Sequence, residues 1–296
     1  MDQDVFATSR PLLFSIAYRM LGSASDAEDV LQDAWLRYRN ADVAAIRSPR
    51  AFATTIVTRL CLDRLKSARA TREQYIGPWL PEPVLTSEVG NQETMLQRAE
   101  SVTLAFLVLL EQLSPEERAV FVLKDVFEYD HAEIAEMLGT TVENSRQLLH
   151  RAKARLAEGR PRLSGSAESR RAVAERFARA FSDGDASALA ALLTRDVGFW
   201  SDGGGKASAS LRPLAGHDEV INFLVGLRRV GQNLNLLKDA SLTFADVNFE
   251  PALVLRLGDH LQSIFVLSIE GDTISAIRVV RNPDKLARID GQLKVH

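Results

Sequence analysis

Apolar residues recur at helical spacing through the first half of the chain. In "SDAEDVLQDAWLRY" (25–38), Ala27, Val30, Leu31, Ala34 and Trp35 form one stripe, and Ser25 to Glu28 has the S-x-x-E spacing of a capping box. Asp26, Glu28, Asp29 and Asp33 fall off that stripe, as a solvated face favoured by the helix dipole or as a docking surface for a basic partner. A second helix is predicted from Ser48-Pro49; it sets Phe52, Ile56, Leu60 and Leu65 against Arg59, Arg64, Lys66, Arg69 and Arg72, a face basic enough to lie along phosphates. From Gln74 the grammar changes. "QYIGPWLPEPVLTSEVGNQ" carries Pro78, Pro81 and Pro83, which exclude a continuous helix. It also holds Tyr75, Ile76, Trp79, Leu80, Val84 and Leu85, too apolar for a free linker, so a connector pinned onto a surface is expected.

Beyond it, "LSPEER" (113–118) gives Ser114 as N-cap, Pro115 at the first helical position and Glu117 closing a capping box. The next stretch repeats that pattern. Asp130 and Glu133 cap a short helix, Gly139 ends it, and a second helix starts at Val142, which is the helix-turn-helix arrangement. Val142, Ser145, Leu149, Ala152 and Leu156 are predicted on its inner face. Glu143, Asn144, Arg146, Gln147, His150, Arg151 and Lys153 then point outward, able to reach base edges and phosphates. A plain helical hairpin with a solvated face would show the same pattern.

From Ser169 the pattern is of another kind. Two amphipathic helices, the strand "VGFW" and the helix "HDEVINFLVGLRR" precede the alternating runs "SLTFADV", "PALVLRL", "LQSIFVLSI" and "TISAIRVV". Helices followed by an antiparallel sheet predict an α+β domain with a curved sheet around a pocket.

Composition adds limits. At 296 residues the chain exceeds one ordinary core, and 46% hydrophobic with 25% charged residues is the balance of a soluble globular protein. A formal net charge of −3 means that any nucleic-acid surface must come from local segregation of charge. The N-terminal "MDQDVFATSR" has no basic n-region, and no apolar run approaches the ~18 residues of a membrane span. One cysteine, Cys61, excludes an internal disulfide framework or a multi-cysteine metal site and fits a reducing cytoplasm.

The fragments "SDAEDVLQDAWLRY", "IVTRLCLDRLKSAR" (56–69), "LSPEERAVFVL" (113–123) and "EIAEMLGTTVENSRQLLHRAKARL" (133–156) together resemble the bacterial sigma factors of the extracytoplasmic-function type. The resemblance covers residues 1 to about 160. It implies two all-α modules, a helical bundle over 1–74 and a helix-turn-helix over 99–162, joined by a linker over 75–98. The expected partners are core RNA polymerase, through its clamp helices and flap, and promoter DNA. Asp26, Glu28, Asp29, Gln32 and Asp33 would meet the clamp helices. The loop from Asn40 to Ser48 would capture a flipped −10 base, with Arg59, Arg64, Lys66 and Arg69 along the non-template strand. The outward residues of the helix-turn-helix would read the −35 element, although Gln147 and Leu148 stand where many members have Ser-Arg.

Residues 168–290 resemble the SnoaL-like superfamily, and "WLPEP" (79–83), "DGGGK" (202–206) and "NPDKL" (282–286) mark the subgroup in which such a domain is fused behind a sigma factor. The subgroup commonly has a glycine between Asn248 and Glu250. The "DGGGK" segment lacks the G-x-x-x-x-G-K-[ST] spacing of a phosphate loop. It remains readable as a pocket rim, in which Asp202 or Asp218 relays a water with His217 or His260, or as a plain hairpin turn. A further reading is a backbone made bare for close approach by a neighbouring segment. The resemblance favours the last: Trp79, Leu80, Pro81, Glu82 and Pro83 would meet Asp202, Gly203, Gly204, Gly205 and Lys206, with Asn282, Pro283, Asp284 and Lys285 beside them, and Lys206 reaching Glu82 or a linker carbonyl. The expectation is a cytoplasmic initiation factor regulated in cis, with no catalytic residues, metal or cofactor. The alternatives are a sigma factor whose C-terminal pocket also binds or converts a small apolar ligand, and a one-component regulator that binds DNA without polymerase.

Overall fold

The structure is a computed structural model that describes residues 2–41, 46, 48–72, 74–89, 100–157, 164–233 and 238–294. The chain divides into two units: residues 1–74 with 89–160, and residues 75–88 with 161–296. Both helical modules therefore lie in the first unit, and the front of the connector belongs to the second.

In the first unit, α1 (Asp2–Leu21), α2 (Ala24–Arg39) and α3 (Pro49–Arg72) pack pairwise. The cap of α2 is Ser23, whose side chain accepts from Asp26 N, two residues before the predicted start. A box at Ser25 and a cap at Ser23 compete for the same first turn. Ser23 wins because starting there buries Ala24 along with Ala27, Val30, Leu31 and Ala34. Tyr38 is buried among Phe6, Trp35 and Phe52, with ring centroids 5.4 to 6.4 Å away. Ser48 accepts from Ala51 N at the head of α3.

The second module comprises α4 (Leu104–Leu110), α5 (Pro115–Phe121), a π-turn at Val122–Val126, α6 (His131–Leu138) and α7 (Val142–Arg155). Complete capping boxes open α5 (Ser114 with Glu117) and α6 (Asp130 with Glu133), and Gly139 at φ 65° closes α6. α7 is turned relative to the sequence expectation. Ser145, Leu148, Ala152 and Leu156 are buried, while Val142 is exposed and Leu149 only half-buried. A stripe of spacing three and four fits either set. Packing against α5 and α6 decides which one turns inward.

Two buried arginines join the modules. Arg118 donates to Met20 O at 2.7 Å and Leu110 O at 2.5 Å and pairs with Glu111; burial pulls its pKa down to about 9. Arg19 donates to Ser101 Oγ at 3.0 Å and lies over the Phe127 ring.

The second unit contains α8 (Ala167–Asp183), α9 (Ala186–Leu192), α10 (His217–Asn233) and α11 (Pro283–Leu293) with a sheet of order β2-β1-β6-β5-β4-β3. Its strands are β1 (Leu193–Asp202), β2 (Leu214–Ala215), β3 (Ala240–Val247), β4 (Glu250–Leu257), β5 (His260–Glu270) and β6 (Thr273–Val280). All neighbours are antiparallel except β1 and β6, which run parallel. Val173 and Phe177 of α8 and Val220 and Leu224 of α10 form one core with Val197, Phe199, Phe265, Leu267, Ile277 and Val279. The two-residue alternation of a strand sends Val254, Ile264, Val266 and Val280 to the opposite face. These are buried as well, and α11 and the connector bring the buried Leu286, Ile289, Leu80, Val84 and Leu85.

Candidate functional site

The connector is held on the second unit at two ends, and Asp202 is the centre of the first. This last residue of β1 is fully buried. Its Oδ1 accepts from Tyr75 OH at 2.6 Å, and its Oδ2 accepts from Leu80 N at 2.8 Å and from Lys285 Nζ at 2.7 Å. Its main-chain oxygen accepts from Arg281 N and Asn282 N, both at 2.8 Å, which fixes the entry to α11. Lys285 Nζ also donates to Leu80 O at 2.5 Å and sits 4.3 Å from the Trp79 ring centroid and 5.0 Å from that of Tyr75. Asn282 donates to Tyr75 OH at 2.9 Å. Burial, and then the neighbouring Asp202 carboxylate, push the Tyr75 phenol well above its ordinary pKa, so it stays a proton donor.

The three glycines follow from these contacts. A Cβ on Gly203 would lie 2.1 Å from Ala207 O; on Gly204, 2.2 Å from Asn282 Nδ2 and 2.9 Å from Tyr75 OH; on Gly205, 2.9 Å from Ile76 Cδ1. Gly204 and Gly205 also have φ of 58° and 72°, where side chains are strained. Lys206 pairs with Asp284 at 2.5 Å, both exposed, and not with Glu82. Glu82 is buried at 3% exposure, and the linker carbonyl of Leu80 is taken by Lys285 instead. Pro81 and Pro83 are buried.

At the other end, Val84 N donates to Asn248 Oδ1 at 3.1 Å, Asn248 N donates to Val84 O at 3.0 Å, Leu85 bridges Val247, and Phe249 N donates to Thr86 Oγ1 at 2.9 Å. Asn248 and Phe249 form the two-residue turn between β3 and β4 at φ 53° and 62°. That turn type favours Asn-Gly, so Phe249 holds a glycine's conformation there.

Of the acid–base pairs expected of a pocket rim, His217 and Asp218 come together, with Nδ1 3.5 Å from Oδ1, at the exposed start of α10. Asp202 is enclosed by the connector, His217 bonds Ala190 O, and Asp218 is 98% exposed. The sheet face toward α8 and α10 is packed with apolar side chains.

In the first unit, Asp26 and Asp29 share Arg64 at 3.0 and 2.9 Å, and Glu28 pairs with Arg10. Gln32 and Asp33 are exposed. Arg64 thus ties α3 to α2. Arg59 Nε donates to Met137 O at 2.8 Å and Nη2 to Glu136 O at 3.3 Å, at the C-terminal end of α6. Lys66 pairs with Glu116 at 3.2 Å, and Thr54 bonds Tyr129. The side chain of Arg69 and residues 42–45 and 47 of the expected base-capturing loop lie outside the described residues. On α7, Glu143, Arg146, Gln147, His150, Arg151 and Lys153 are exposed. Asn144 is held to Thr140 Oγ1 at 2.7 Å, Lys153 pairs with Asp125 at 2.7 Å, and Arg151 approaches Glu117 at 3.9 Å. Sequence reasoning named neither Tyr75 as an Asp202 ligand nor Asn248 and Thr86. An aromatic in a proline-stiffened connector signals the first, and nothing local signals the others.

Comparison with known proteins places both modules. Residues 5–71 match the family described as Sigma-70 region 2, and residues 103–156 match Sigma-70, region 4. A bundle and a helix-turn-helix in that order define a sigma factor, the subunit that directs core RNA polymerase to promoters. Within that class the chain belongs to the extracytoplasmic-function RNA polymerase sigma factors. It is 36% identical to the ECF RNA polymerase sigma factor SigJ of Mycobacterium tuberculosis, covering 96% of this chain and 93% of the relative. It is 32% identical to the probable ECF sigma factor SigI of the same species, covering 96% and 94%. The crystal structure of M. tuberculosis SigJ matches with a TM-score of 0.73 at 35% identity over 95% of this chain and 97% of that one. Among the described residues no helix is long and apolar enough to cross a membrane.

Proposed function

We propose that this sigma factor is controlled in cis by docking of its own connector on the C-terminal unit, and that core polymerase favours the undocked form. The fully buried Asp202 carboxylate, bound to Leu80 N, Tyr75 OH and Lys285 Nζ, is the observation that carries the reading. The docked segment is the chain between the two promoter-reading modules, and only residues 73 and 74 separate the end of α3 from Tyr75. The modules must reach promoter elements about 25 base pairs apart, roughly 85 Å of duplex. In the first unit they are instead packed together, with Arg59 occupied at the C-terminus of α6. Docking of a few kcal/mol is weak enough for a partner that prefers the extended form to reverse.

In the open form Asp26, Glu28, Asp29, Gln32 and Asp33 meet the basic clamp helices. Arg59, Arg64, Lys66 and Arg69 follow the non-template strand. Arg146, Gln147 and their neighbours on α7 read the −35 element. The protein works in the cytoplasm, where its polymerase is.

Disulfide trapping tests this reading. A Cβ built on Gly205 lies 3.5 Å from Ile76 Cβ, within the range a disulfide needs. Ile76→Cys with Gly205→Cys, in a Cys61→Ala background, is expected to oxidise readily in the free protein and slowly in the polymerase complex. Equal rates in both states would overturn it.

A further inference from the structure

We propose that Lys124 and His131 form a contact for a DNA backbone phosphate beside the base edge addressed by Arg146, and that His131 takes up a proton when the phosphate docks. The proposal rests on the DNA-reading role of the helix-turn-helix. In that motif the second helix enters the major groove while the first crosses the backbone, so the head of α6 is where a strand passes. His131 is the first residue of α6, half-buried, with Nδ1 held 2.9 Å from Ser145 Oγ of α7. Ser145 is fully buried and so fixes the ring in relation to the recognition helix.

The charges around the ring favour an anion. Partial desolvation first, and then Lys124 from the π-turn and Arg146 from α7, depress protonation of His131. Lys124 has no hydrogen-bond or ion-pair partner among the described residues, and Arg146 has only Glu143 at 3.9 Å, both exposed. Asp130, on the cap of α6, acts in the opposite direction. Its carboxylate is engaged by Glu133 N at 2.8 Å, and that of Glu133 by Asp130 N at 2.8 Å, so both local acids serve the backbone. From α3, Arg59 reaches the far end of α6.

In the free protein His131 titrates below its ordinary range, so it is mostly neutral at pH 7. A phosphate placed among Lys124, His131 and Arg146 favours the charged imidazolium and raises that pKa. Binding therefore takes up a proton and tightens as pH falls, with an upper limit of about tenfold per pH unit.

The test uses the full chain with core polymerase on a promoter fragment the enzyme transcribes, and on the same fragment with its −35 block scrambled. Affinity is measured from pH 6 to 8 and over a range of salt. The −35-dependent part of wild-type binding is expected to weaken roughly three- to tenfold between pH 6 and 8. His131→Gln should bind like wild type at pH 8 and lack the gain at pH 6. Lys124→Gln should weaken every −35-bearing fragment alike and lower the salt slope by about one. Circular dichroism melts confirm that both variants fold. Wild type that ignores the scrambled block would sink the DNA-reading role itself. Wild type that discriminates, while His131→Gln follows it at every pH and Lys124→Gln keeps its salt slope, would overturn the phosphate site alone.

Discussion

Replacing Asp202 by alanine removes one carboxylate and three of its bonds: to Leu80 N at 2.8 Å, to Tyr75 OH at 2.6 Å and to Lys285 Nζ at 2.7 Å. Hydrogen bonds to a charged group are each worth about 1.5–3 kcal/mol, but these three share one acceptor and do not add. Lys285 is 13% exposed and would lose its bond to this carboxylate, and removing one partner of a buried pair costs about 3–5 kcal/mol. Leu80 and Val84 stay apolar and buried, at about 1.5–3 kcal/mol each, so the domain should survive while the connector loosens. At about 1.4 kcal/mol per decade, protection of the 75–85 amides from hydrogen exchange should fall by roughly a hundred- to several-thousand-fold. Amides of β4 and β5 should keep theirs. Protection of 75–85 within twofold of wild type, in an otherwise intact domain, would refute Asp202 as the anchor. Loss of protection throughout the sheet would equally refute a connector that releases independently.

The glycine loop should grade by what a methyl group meets. Gly203→Ala, against the Ala207 carbonyl, and Gly204→Ala, against Asn282, should each destabilise docking by about 2–3 kcal/mol, whereas Gly205→Ala meets only the end of the exposed Ile76 and should cost about 1 kcal/mol; exchange at residues 75–85 reads the order. Asp29→Arg with Asp33→Arg leaves the buried face of α2 intact, sets a cation beside Arg64, and should abolish core-polymerase capture in a pull-down; near-normal capture by the folded protein would count against the clamp contact. Arg146→Ala should cost ~1–3 kcal/mol and relax preference at one promoter position, whereas Arg151→Ala should weaken all promoters alike and lower the salt slope by about one; indistinguishable effects would remove the division between base reader and phosphate anchor.

Features set by local chemistry were legible in the sequence. The boxes at Ser114 and Asp130 and the glycine stop at 139 are decided within four residues, and they stand where the spacing puts them. Where two local solutions compete, tertiary burial decides, as at Ser23 against Ser25 and Leu148 against Leu149. The connector's apolar content signalled a covering surface, but its bonds, Val84 to Asn248 and Thr86 to Phe249, span more than 160 residues, a separation that no periodicity encodes. The parallel pairing of β1 with β6 is non-local in the same sense. "NPDKL" reads locally as a helix start, with Asn282 as cap and Pro283 at the first position; α11 was nonetheless missing from the expected elements. Lys206 pairs with the exposed Asp284 and not with the buried Glu82, while Lys285, one residue further along α11, turns inward to Asp202.

Transcription by the locked protein shows whether the connector must leave the C-terminal unit before initiation. Ile76→Cys with Gly205→Cys, in the Cys61→Ala background, is oxidised, freed of uncrosslinked chain, and added to core polymerase on a promoter fragment. The docked connector should block initiation, and reductant should restore the level of the same protein never oxidised. Full promoter-specific transcription from the oxidised, verified crosslinked protein would contradict control by connector release.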